Sequence, residues 1–246
     1  MPTAFYWKSR VNFGDLLTTL LLKRFANTTV EWAPFEKADL GCVGSVLDFI
    51  PDKWPGIIAG AGRLFDTPRP DLSHATVLGL RGPLSARGVP GDYALGDPGL
   101  LADELVELPE RDTELGLVPH WSDQELEYRP EFLRYNPLII RVSDDPLEVI
   151  RSIGRCKKIV ASSLHGIILA DAFGIPRRTE TTKIFANEGF HFKFNDYNAS
   201  IGMKTELGVT QKAPKYKVED RQHELYDMLE KSRKEMQSFF SNSCAF

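Results

Sequence analysis

Residues 160–176, VASSLHGIILADAFGIP, predict a strand, a turn and a helix in direct succession. The β-branched start is typical of a buried strand, and apolar side chains recur at helical spacing from Leu164 onward. Between them, Ser162 and Ser163 offer hydroxyls that can cap the helix. In an open parallel sheet, ligands bind beyond the carboxyl ends of the strands, and a helix N-terminus there favours an anion. We therefore expect His165, in the turn, to act on an anionic substrate.

The length and composition of the chain indicate a globular protein of one or two domains. Hydrophobic residues make up 42% of the 246 residues, and no apolar run approaches the roughly 20 residues that a membrane-spanning helix needs. Residues 1–8 lack the basic and apolar regions of a secretory signal, so we expect a cytoplasmic location. A net charge of −4 and a pI near 5.8 argue against nucleic acid as a partner.

The three cysteines, Cys42, Cys156 and Cys244, are far apart and odd in number. This spacing argues against a disulfide framework and against a zinc site built on close cysteine pairs. We therefore expect reduced thiols and no metal.

Short apolar runs alternate with helical segments, which is typical of an α/β fold with parallel sheets. The predicted strands are Ala4–Trp7, Leu40–Val43, Ile57–Ala59, Thr76–Leu80, Leu115–Val118, Leu138–Ile140, Lys158–Ala161 and Arg177–Glu180. The predicted helices between them are Leu16–Phe25, Pro83–Arg87, Pro98–Leu105, Pro146–Ile153 and Leu164–Phe173. The acidic residues 103–114 predict a linker, so we expect two Rossmann-like halves, 1–108 and 109–210. Residues 211–246 predict a linker and an amphipathic C-terminal helix, about Val218–Phe240, that packs along the body.

Other strand-to-helix turns carry polar residues that reach the same edge of a sheet. Asn12 and Asp15 follow the first strand, where Asp15 is a good helix cap; a plain capped turn and a cleft-facing acid/base pair are both open. Arg81 ends a strand and can hold a carboxylate or a phosphate, or form a surface ion pair. Asp97 caps the next helix, and this role accounts for it fully.

Three further segments have both a structural and a functional interpretation. Gly60–Arg63 follows a strand but lacks the third glycine of the dinucleotide fingerprint, so a structural turn is favoured. His120 and Trp121 end another strand, and the indole can stack on a sugar or lie half-buried between the halves. Residues 190–198 are dense in aromatic and polar side chains, which indicates core and surface, or the rim of a sugar-binding cleft where Lys193 supplies positive charge.

Seven motifs occur in a fixed order along residues 5–204. They are Asn12-Phe13-Gly14-Asp15, Gly44-Ser45-Val46-Leu47, Gly60-Ala61-Gly62, Arg81-Gly82-Pro83, Gly96-Asp97-Pro98-Gly99-Leu100-Leu101, Val118-Pro119-His120 and Ser162-Ser163-Leu164-His165-Gly166. This ordered set resembles the polysaccharide pyruvyl transferase family. The segment Phe192–Tyr197 resembles the short ketal-pyruvate transferases that decorate xanthan-type exopolysaccharide.

The resemblance implies a fold similar to the two-domain GT-B glycosyltransferases, with the active site between the halves. It implies that the enolpyruvyl group of phosphoenolpyruvate is transferred to two hydroxyls of one sugar, which gives a cyclic pyruvate ketal and phosphate. The implied partners are phosphoenolpyruvate as donor substrate and a glycan or lipid-linked oligosaccharide as acceptor. A lipid-linked acceptor would bring the protein to the inner face of the cytoplasmic membrane. The resemblance implies no metal and no organic cofactor.

Ketal formation needs proton transfer and cations, and the residues that match the family's motifs offer both. We predict His165 as general acid/base, Arg81 as the contact of the donor anion, and Asp15 with Asn12 on the acceptor or as a second base. The predicted substrate-binding residues are Asn12, Gly14, Gly62, Arg63, Asp97, His120, Ser162, Ser163, Leu164, Gly166 and Lys193.

Position 163 departs from the pattern of the family. Many members carry an arginine directly before the Leu-His-Gly motif, where it contacts phosphoenolpyruvate, and this chain has Ser163. Either another cation, such as Arg81, Arg63 or Lys193, makes that contact, or the donor binds differently. Two other functions stay open: a GT-B glycosyltransferase, whose cleft would bind the pyrophosphate of a nucleotide sugar, and a non-catalytic glycan-binding α/β module.

Overall fold

The computed structural model describes residues 1–8, 11–107, 109–180 and 188–243, and the side chains of the last range from 191 to 237. These residues form two β-sheets whose strands are almost all parallel, with helices packed on them. This arrangement confirms the predicted α/β class.

The N-terminal sheet has six parallel strands. They are β1 (Thr3–Phe5), β2 (Glu31–Trp32), β3 (Leu40–Gly41), β4 (Ile57–Ala61), β5 (Thr76–Leu80) and β6 (Ala94–Leu95). Their order in the sheet is β2-β1-β3-β4-β5-β6, so the direction in which successive strands are added reverses between β1 and β3.

The C-terminal sheet repeats this order in its five strands. They are β7 (Gly116–Val118), β8 (Leu138–Ile139), β9 (Ile159–Ala161), β10 (Arg177–Thr179) and β11 (Thr210–Gln211). The order is β11-β10-β9-β7-β8, with only β11 antiparallel to its neighbour, so the reversal falls between β7 and β9. The chain passes from one sheet to the other within the predicted linker. The boundaries at 108 and 210 stay predictions, and Leu108 lies outside the described residues.

All eight predicted strands form, although most of their bounds shift by one or two residues. The sequence gives no sign of β2, β6 and β11, since each has only two residues and is too short to leave a pattern.

The helices flank the two sheets. They are α1 (Phe13–Phe25), α2 (Pro130–Leu133), α3 (Pro146–Gly154), α4 (Leu164–Ala172), α5 (Glu188–Ser200) and α6 (Lys215–Ser243), with a longer 3-10 helix at Pro98–Leu105 and short ones at Phe35–Lys37, Leu47–Phe49 and Gln124–Tyr128. The predicted helix Pro83–Arg87 is wrong: those residues form turns that end at Gly88, which has a positive φ of 73°. Helix α5 was not predicted, because Phe190, Phe192 and Phe194 alternate with the period of a strand.

One hydrophobic core runs through both halves. It joins buried side chains of α1, the 3-10 helix Pro98–Leu105, α3, α4 and α6. Helix α6 therefore returns to pack on the N-terminal half, where the sulfur of Met228 lies so close to Gly79 that an added Cβ would sit 2.2 Å from it. The side chains of Phe239 and Phe240 lie outside the described part of α6.

Cys42 and Cys156 are buried free thiols, and Cys244 lies outside the described residues. Within the described ranges, every helix is too short or too polar to cross a membrane.

Candidate functional site

The polar turns predicted to carry chemistry follow the strands at which each sheet reverses its order. Asn12 opens α1 after β1, and Gly44 follows β3. In the other half, His120 follows β7 and His165 follows β9. Ligands of open α/β sheets bind in the crevice beside such a reversal. The candidate residues of both halves therefore lie at an edge of their sheet where ligands bind.

The contact between Gly14 and His165 brings these two edges together. A Cβ built on Gly14 would lie 2.0 Å from Nδ1 of the imidazole, which is possible only for glycine. Beside this contact, the ring of Phe13 lies edge-on to His165 at 6.2 Å, and the Phe13 N–H donates to the carbonyl of Val142 across 2.7 Å. The candidate site is therefore formed by both halves of the chain.

Two buried polar atoms face each other inside this interface. Nε2 of His165 lies 3.9 Å from Oδ2 of Asp97, and neither atom has a hydrogen-bond partner among the described residues. Burial, followed by the nearby charge of Arg81, lowers the pKa of His165 to about 3, so the imidazole is neutral at pH 7. Burial raises the pKa of Asp97 to about 6. At pH 7 the pair is therefore a neutral imidazole and a mostly ionised carboxyl group, whose facing atoms lie slightly too far apart for a hydrogen bond.

Asp15 and Lys193 form a second pair of ionisable groups in the site. Burial raises the pKa of Asp15 to about 7, although the charge of Lys193 opposes the shift. Burial likewise lowers the pKa of Lys193 to about 8, and the charge of Arg81 adds to that effect. At neutral pH the site therefore holds a carboxyl group that is close to half protonated and a lysine that is mostly charged.

The caps of the two helices at the site differ from the prediction. Asn12, rather than Asp15, caps α1: its side-chain oxygen accepts from the Gly14 N–H across 3.2 Å, which leaves Asp15 in the first turn. Ser163 occupies the N-cap position of α4 but its side chain makes no capping bond. The Ser162 hydroxyl instead accepts from the His120 N–H across 2.9 Å and so joins the ends of β7 and β9. The predicted serine hydroxyl cap is therefore wrong.

Among the described residues, no side chain accepts a hydrogen bond from the first N–H groups of α4. Such groups and the helix dipole together favour an anion. The predicted role of Ser162 and Ser163 in substrate binding stays a prediction.

Arg81 is enclosed in a network that joins the two halves. Its side chain is fully buried and donates to Asp196 across 3.0 Å, to Ser45 across 2.6 Å, and to the carbonyl of Arg63. Asp196, on α5, also accepts from the backbone N–H groups of Leu84 and Ser85. The guanidinium thus anchors α5 to the N-terminal half, while its charge still acts on His165.

Arg63 is also engaged by its neighbours. It donates to Asp48 across 3.0 Å and to the carbonyl of Thr67, and its guanidinium lies 5.7 Å from the ring centre of Phe192. Three cations were suggested in place of the missing arginine. Of these, Lys193 affects the pKa of both Asp15 and His165, whereas Arg81 affects the pKa of His165.

Three predicted binding residues contribute to packing. A Cβ on Gly62 would lie 2.2 Å from Cζ of Arg81, and one on Gly166 would lie 2.9 Å from Cβ of Val118. The side chain of Leu164 belongs to the core shared by the halves. These residues can meet a substrate only through their backbone, and their role in binding stays a prediction.

His120 and Trp121 lie at the C-terminal side of the site. Nδ1 of His120 lies 2.7 Å from the Ser122 hydroxyl, and its ring centre is 5.1 Å from that of Trp121. Burial, followed by the charge of Lys193, lowers the pKa of His120 to about 3. Trp121 keeps 42% of its surface exposed beside this histidine.

Sequence reasoning missed the role of Asp196, Ser45 and Ser85. Asp196 lies 115 residues from Arg81 in the chain, and no local pattern predicts such a contact. Across the described ranges, no group of three or more His, Cys, Asp or Glu side chains is arranged to hold a metal ion.

Comparison with known proteins gives two related sequences and one family. Residues 69–178, which include Arg81, Asp97, His120 and His165, match the family model of polysaccharide pyruvyl transferase. The chain is 32% identical to the succinoglycan biosynthesis protein ExoV of Rhizobium meliloti over 210 residues, which cover 81% of this chain and 65% of that protein.

The second relative is an uncharacterized protein of Acanthamoeba polyphaga mimivirus. The identity is 31% over 121 residues, which cover 46% of this chain and 41% of that protein. The chain therefore spans less than two thirds of the length of either relative. No solved structure matches the chain.

Proposed function

The chain belongs to the polysaccharide pyruvyl transferase family, and on that premise we propose that it transfers the enolpyruvyl group of phosphoenolpyruvate to two hydroxyls of one sugar. The acceptor is a sugar of an exopolysaccharide or another cell-surface glycan, and the product is a cyclic pyruvate ketal. The observation that carries the proposal is the Gly14–His165 contact, which unites a neutral imidazole, a protonatable carboxyl group and a buried lysine in one site.

The reaction balances without a cofactor. C3 of phosphoenolpyruvate takes up a proton, the two sugar hydroxyls form bonds to C2, and the bond from C2 to the phosphate oxygen breaks. The two hydroxyls lose two protons in total. C3 takes up one proton to form the new methyl group, and the departing phosphate takes up the other. The site therefore has to supply a proton, accept protons and hold a trianion.

Each task matches a described residue. His165 is neutral and serves as the base for an attacking hydroxyl, while Asp15, with its pKa of about 7, serves as the proton source for C3. Lys193 and the first N–H groups of α4 bind the carboxylate and phosphate of the donor. Asn12 and Trp121 line the acceptor side, where an indole can stack on a sugar ring.

The proposal extends to the arrangement and location of the protein. We propose that the two α/β halves are disposed as in GT-B glycosyltransferases, with donor and acceptor between them. The reaction would take place in the cytoplasm, at the inner face of the cytoplasmic membrane when the acceptor is lipid-linked.

A direct test is the release of phosphate from phosphoenolpyruvate by the purified protein. The acceptor would be oligosaccharides from acid-treated succinoglycan, chosen because of the name of the Rhizobium relative. We expect acceptor-dependent phosphate release, a new methyl signal on the glycan by proton NMR, and loss of both in His165→Ala with the fold intact. Activity retained in His165→Ala would overturn the assignment of the base.

Titration calorimetry separates the competing functions. Binding of phosphoenolpyruvate supports the proposal. Binding of UDP-glucose in its place would indicate a glycosyltransferase, and binding of the oligosaccharide alone would indicate a non-catalytic glycan-binding module.

A further inference from the structure

Asp97 and His165 each hold a buried polar atom that lacks a hydrogen-bond partner among the described residues. A buried polar atom without a partner destabilises a fold by about 1–3 kcal/mol, so such atoms are rare and need an explanation. Here two of them, Oδ2 of Asp97 and Nε2 of His165, face each other at 3.9 Å. Their short separation indicates one hydrogen bond that is nearly formed.

The other oxygen of Asp97 is already committed. Oδ1 accepts from the Gly99 N–H across 2.9 Å and so caps the 3-10 helix that begins at Pro98. This bond holds the carboxyl group in one orientation, with Oδ2 directed to His165. Capping accounts for one oxygen of Asp97 and leaves the other without a structural role.

The two nitrogens of His165 have different surroundings. Nε2 is enclosed and faces Asp97, whereas Nδ1 lies against Gly14, at the start of α1 where Asn12 and Asp15 lie. If the reacting hydroxyl meets Nδ1, that nitrogen must carry a lone pair, and the proton of the neutral ring must then be on Nε2.

We propose that Asp97 is a positioning residue for His165: its Oδ2 accepts the Nε2–H proton and thereby leaves the lone pair on Nδ1 for the hydroxyl of the acceptor sugar. The role rests on the proposed function, because it presumes that His165 is the base. When the hydroxyl proton moves to Nδ1, the ring becomes an imidazolium, and the Asp97 carboxylate stabilises that charge. The proton afterwards leaves with the phosphate.

The resting distance fits this role. A hydrogen bond from Nε2 requires about 3 Å, so the gap has to close by roughly 1 Å. Asp97 lies in the N-terminal half and His165 in the C-terminal half, so a small movement of one half toward the other shortens it. Buried in the free protein, His165 is a weak base, and contact with the carboxylate strengthens it.

Substitution of Asp97 by asparagine tests the orientation of the imidazole. In Asp97→Asn the amide oxygen takes the place of Oδ1, because the Gly99 N–H requires an acceptor. The amide NH₂ group then takes the place of Oδ2 and presents a donor to His165. That donor stabilises the opposite tautomer, with the proton on Nδ1. Asp145→Asn is the matched control, because Asp145 also caps a helix, α3, and lies on the surface.

The measurement is ¹⁵N NMR of the free protein at pH 8 with labelled histidine, where the signals of His165 are identified by their loss in His165→Gln. We expect the Nε2–H tautomer in the wild-type protein and in Asp145→Asn, and the Nδ1–H tautomer in Asp97→Asn.

In the phosphate-release assay, kcat of Asp97→Asn should fall on the order of 10³-fold or more, as in catalytic triads, with little change in the KM of phosphoenolpyruvate. Asp97→Ser keeps a capping hydroxyl and serves as the second variant should the amide destabilise the fold; we expect it to lose the preference for Nε2–H.

The outcomes separate the two proposals. The same tautomer in wild-type and Asp97→Asn, or Nδ1–H in the wild-type protein, would overturn the positioning role. An inverted tautomer in a protein that neither binds phosphoenolpyruvate nor releases phosphate from it would support the Asp97–His165 pair and overturn the proposed function.

Discussion

Gly14 and His165 are in direct contact across the two halves of the molecule, with Nδ1 of the imidazole only 2.0 Å from the position that a Cβ of residue 14 would take. The contact places the first turn of α1 against the first turn of α4. Because both turns follow strands at the reversal points of their sheets, the contact joins two ligand-binding edges into one site.

Gly14→Ala should therefore displace the imidazole. We expect kcat to fall by roughly 100-fold, since a misplacement of about 1 Å can have that effect, while the alanine itself suits a helix. Phosphate release and thermal unfolding measure the two effects. Gly41→Ala is the control, because its Cβ would meet only ordinary contacts, the nearest 3.4 Å away at Phe35. Full activity in Gly14→Ala would show that His165 is free to shift without loss.

Lys193→Met should weaken binding of the donor. Loss of a charged contact to an anion typically removes about 1.5–3 kcal/mol, so the KM of phosphoenolpyruvate should rise roughly 10- to 100-fold. In the wild-type protein this KM should also rise above pH 8, because Lys193 loses its charge at its pKa of about 8. Lys158→Met, an exposed change in the same half, is the control. An unchanged KM in Lys193→Met would assign the donor to another cation.

Arg81→Met should destabilise the protein by about 3–5 kcal/mol, because it leaves the carboxylate of Asp196 buried without its partner. The double variant with Asp196→Asn should recover part of this loss, since the amide oxygen still accepts from Leu84 and Ser85 and the stranded charge is gone. Urea unfolding measures both changes. Removal of an exposed pair by Arg155→Met should change the free energy of unfolding by less than about 1 kcal/mol. A double variant less stable than Arg81→Met would contradict this account.

Asp15→Asn should stabilise the fold at alkaline pH at the expense of activity. Burial raises the pKa of Asp15 from 3.8 to about 7, so the folded state holds this proton more tightly than the unfolded state does. Stability of the wild-type protein therefore falls as pH rises from about 4 to 7, by up to about 4 kcal/mol for this group. The gain from Asp15→Asn should be near zero at pH 4 and largest above pH 7 in urea unfolding. A gain independent of pH would refute the assigned burial of this carboxyl group.

Much of the fold could be predicted because its strands are buried on both faces. The β-branched runs around Ile57 and Ile159 are apolar throughout, and they form as predicted. Strands of two residues, such as β6, leave no such signal. Helix α5 was missed because its phenylalanines recur at every second residue, which is the period of a strand. In the helix they serve different contacts: the guanidinium of Arg63 lies over Phe192, while Phe194 is part of the core.

The sequence by itself determined the α/β class, the similarity to polysaccharide pyruvyl transferases and the turns at which polar residues follow buried strands, because these properties depend on local patterns and on the order of motifs. Only the tertiary structure decided which of those residues meet. Asn12 caps α1 in place of Asp15, Arg81 is tied to Asp196 across 115 residues, and Asp97 faces His165 from the other half. The physical reason is that burial and neighbouring charge set the protonation of each group. Both arise only when segments that lie far apart in the sequence pack against each other.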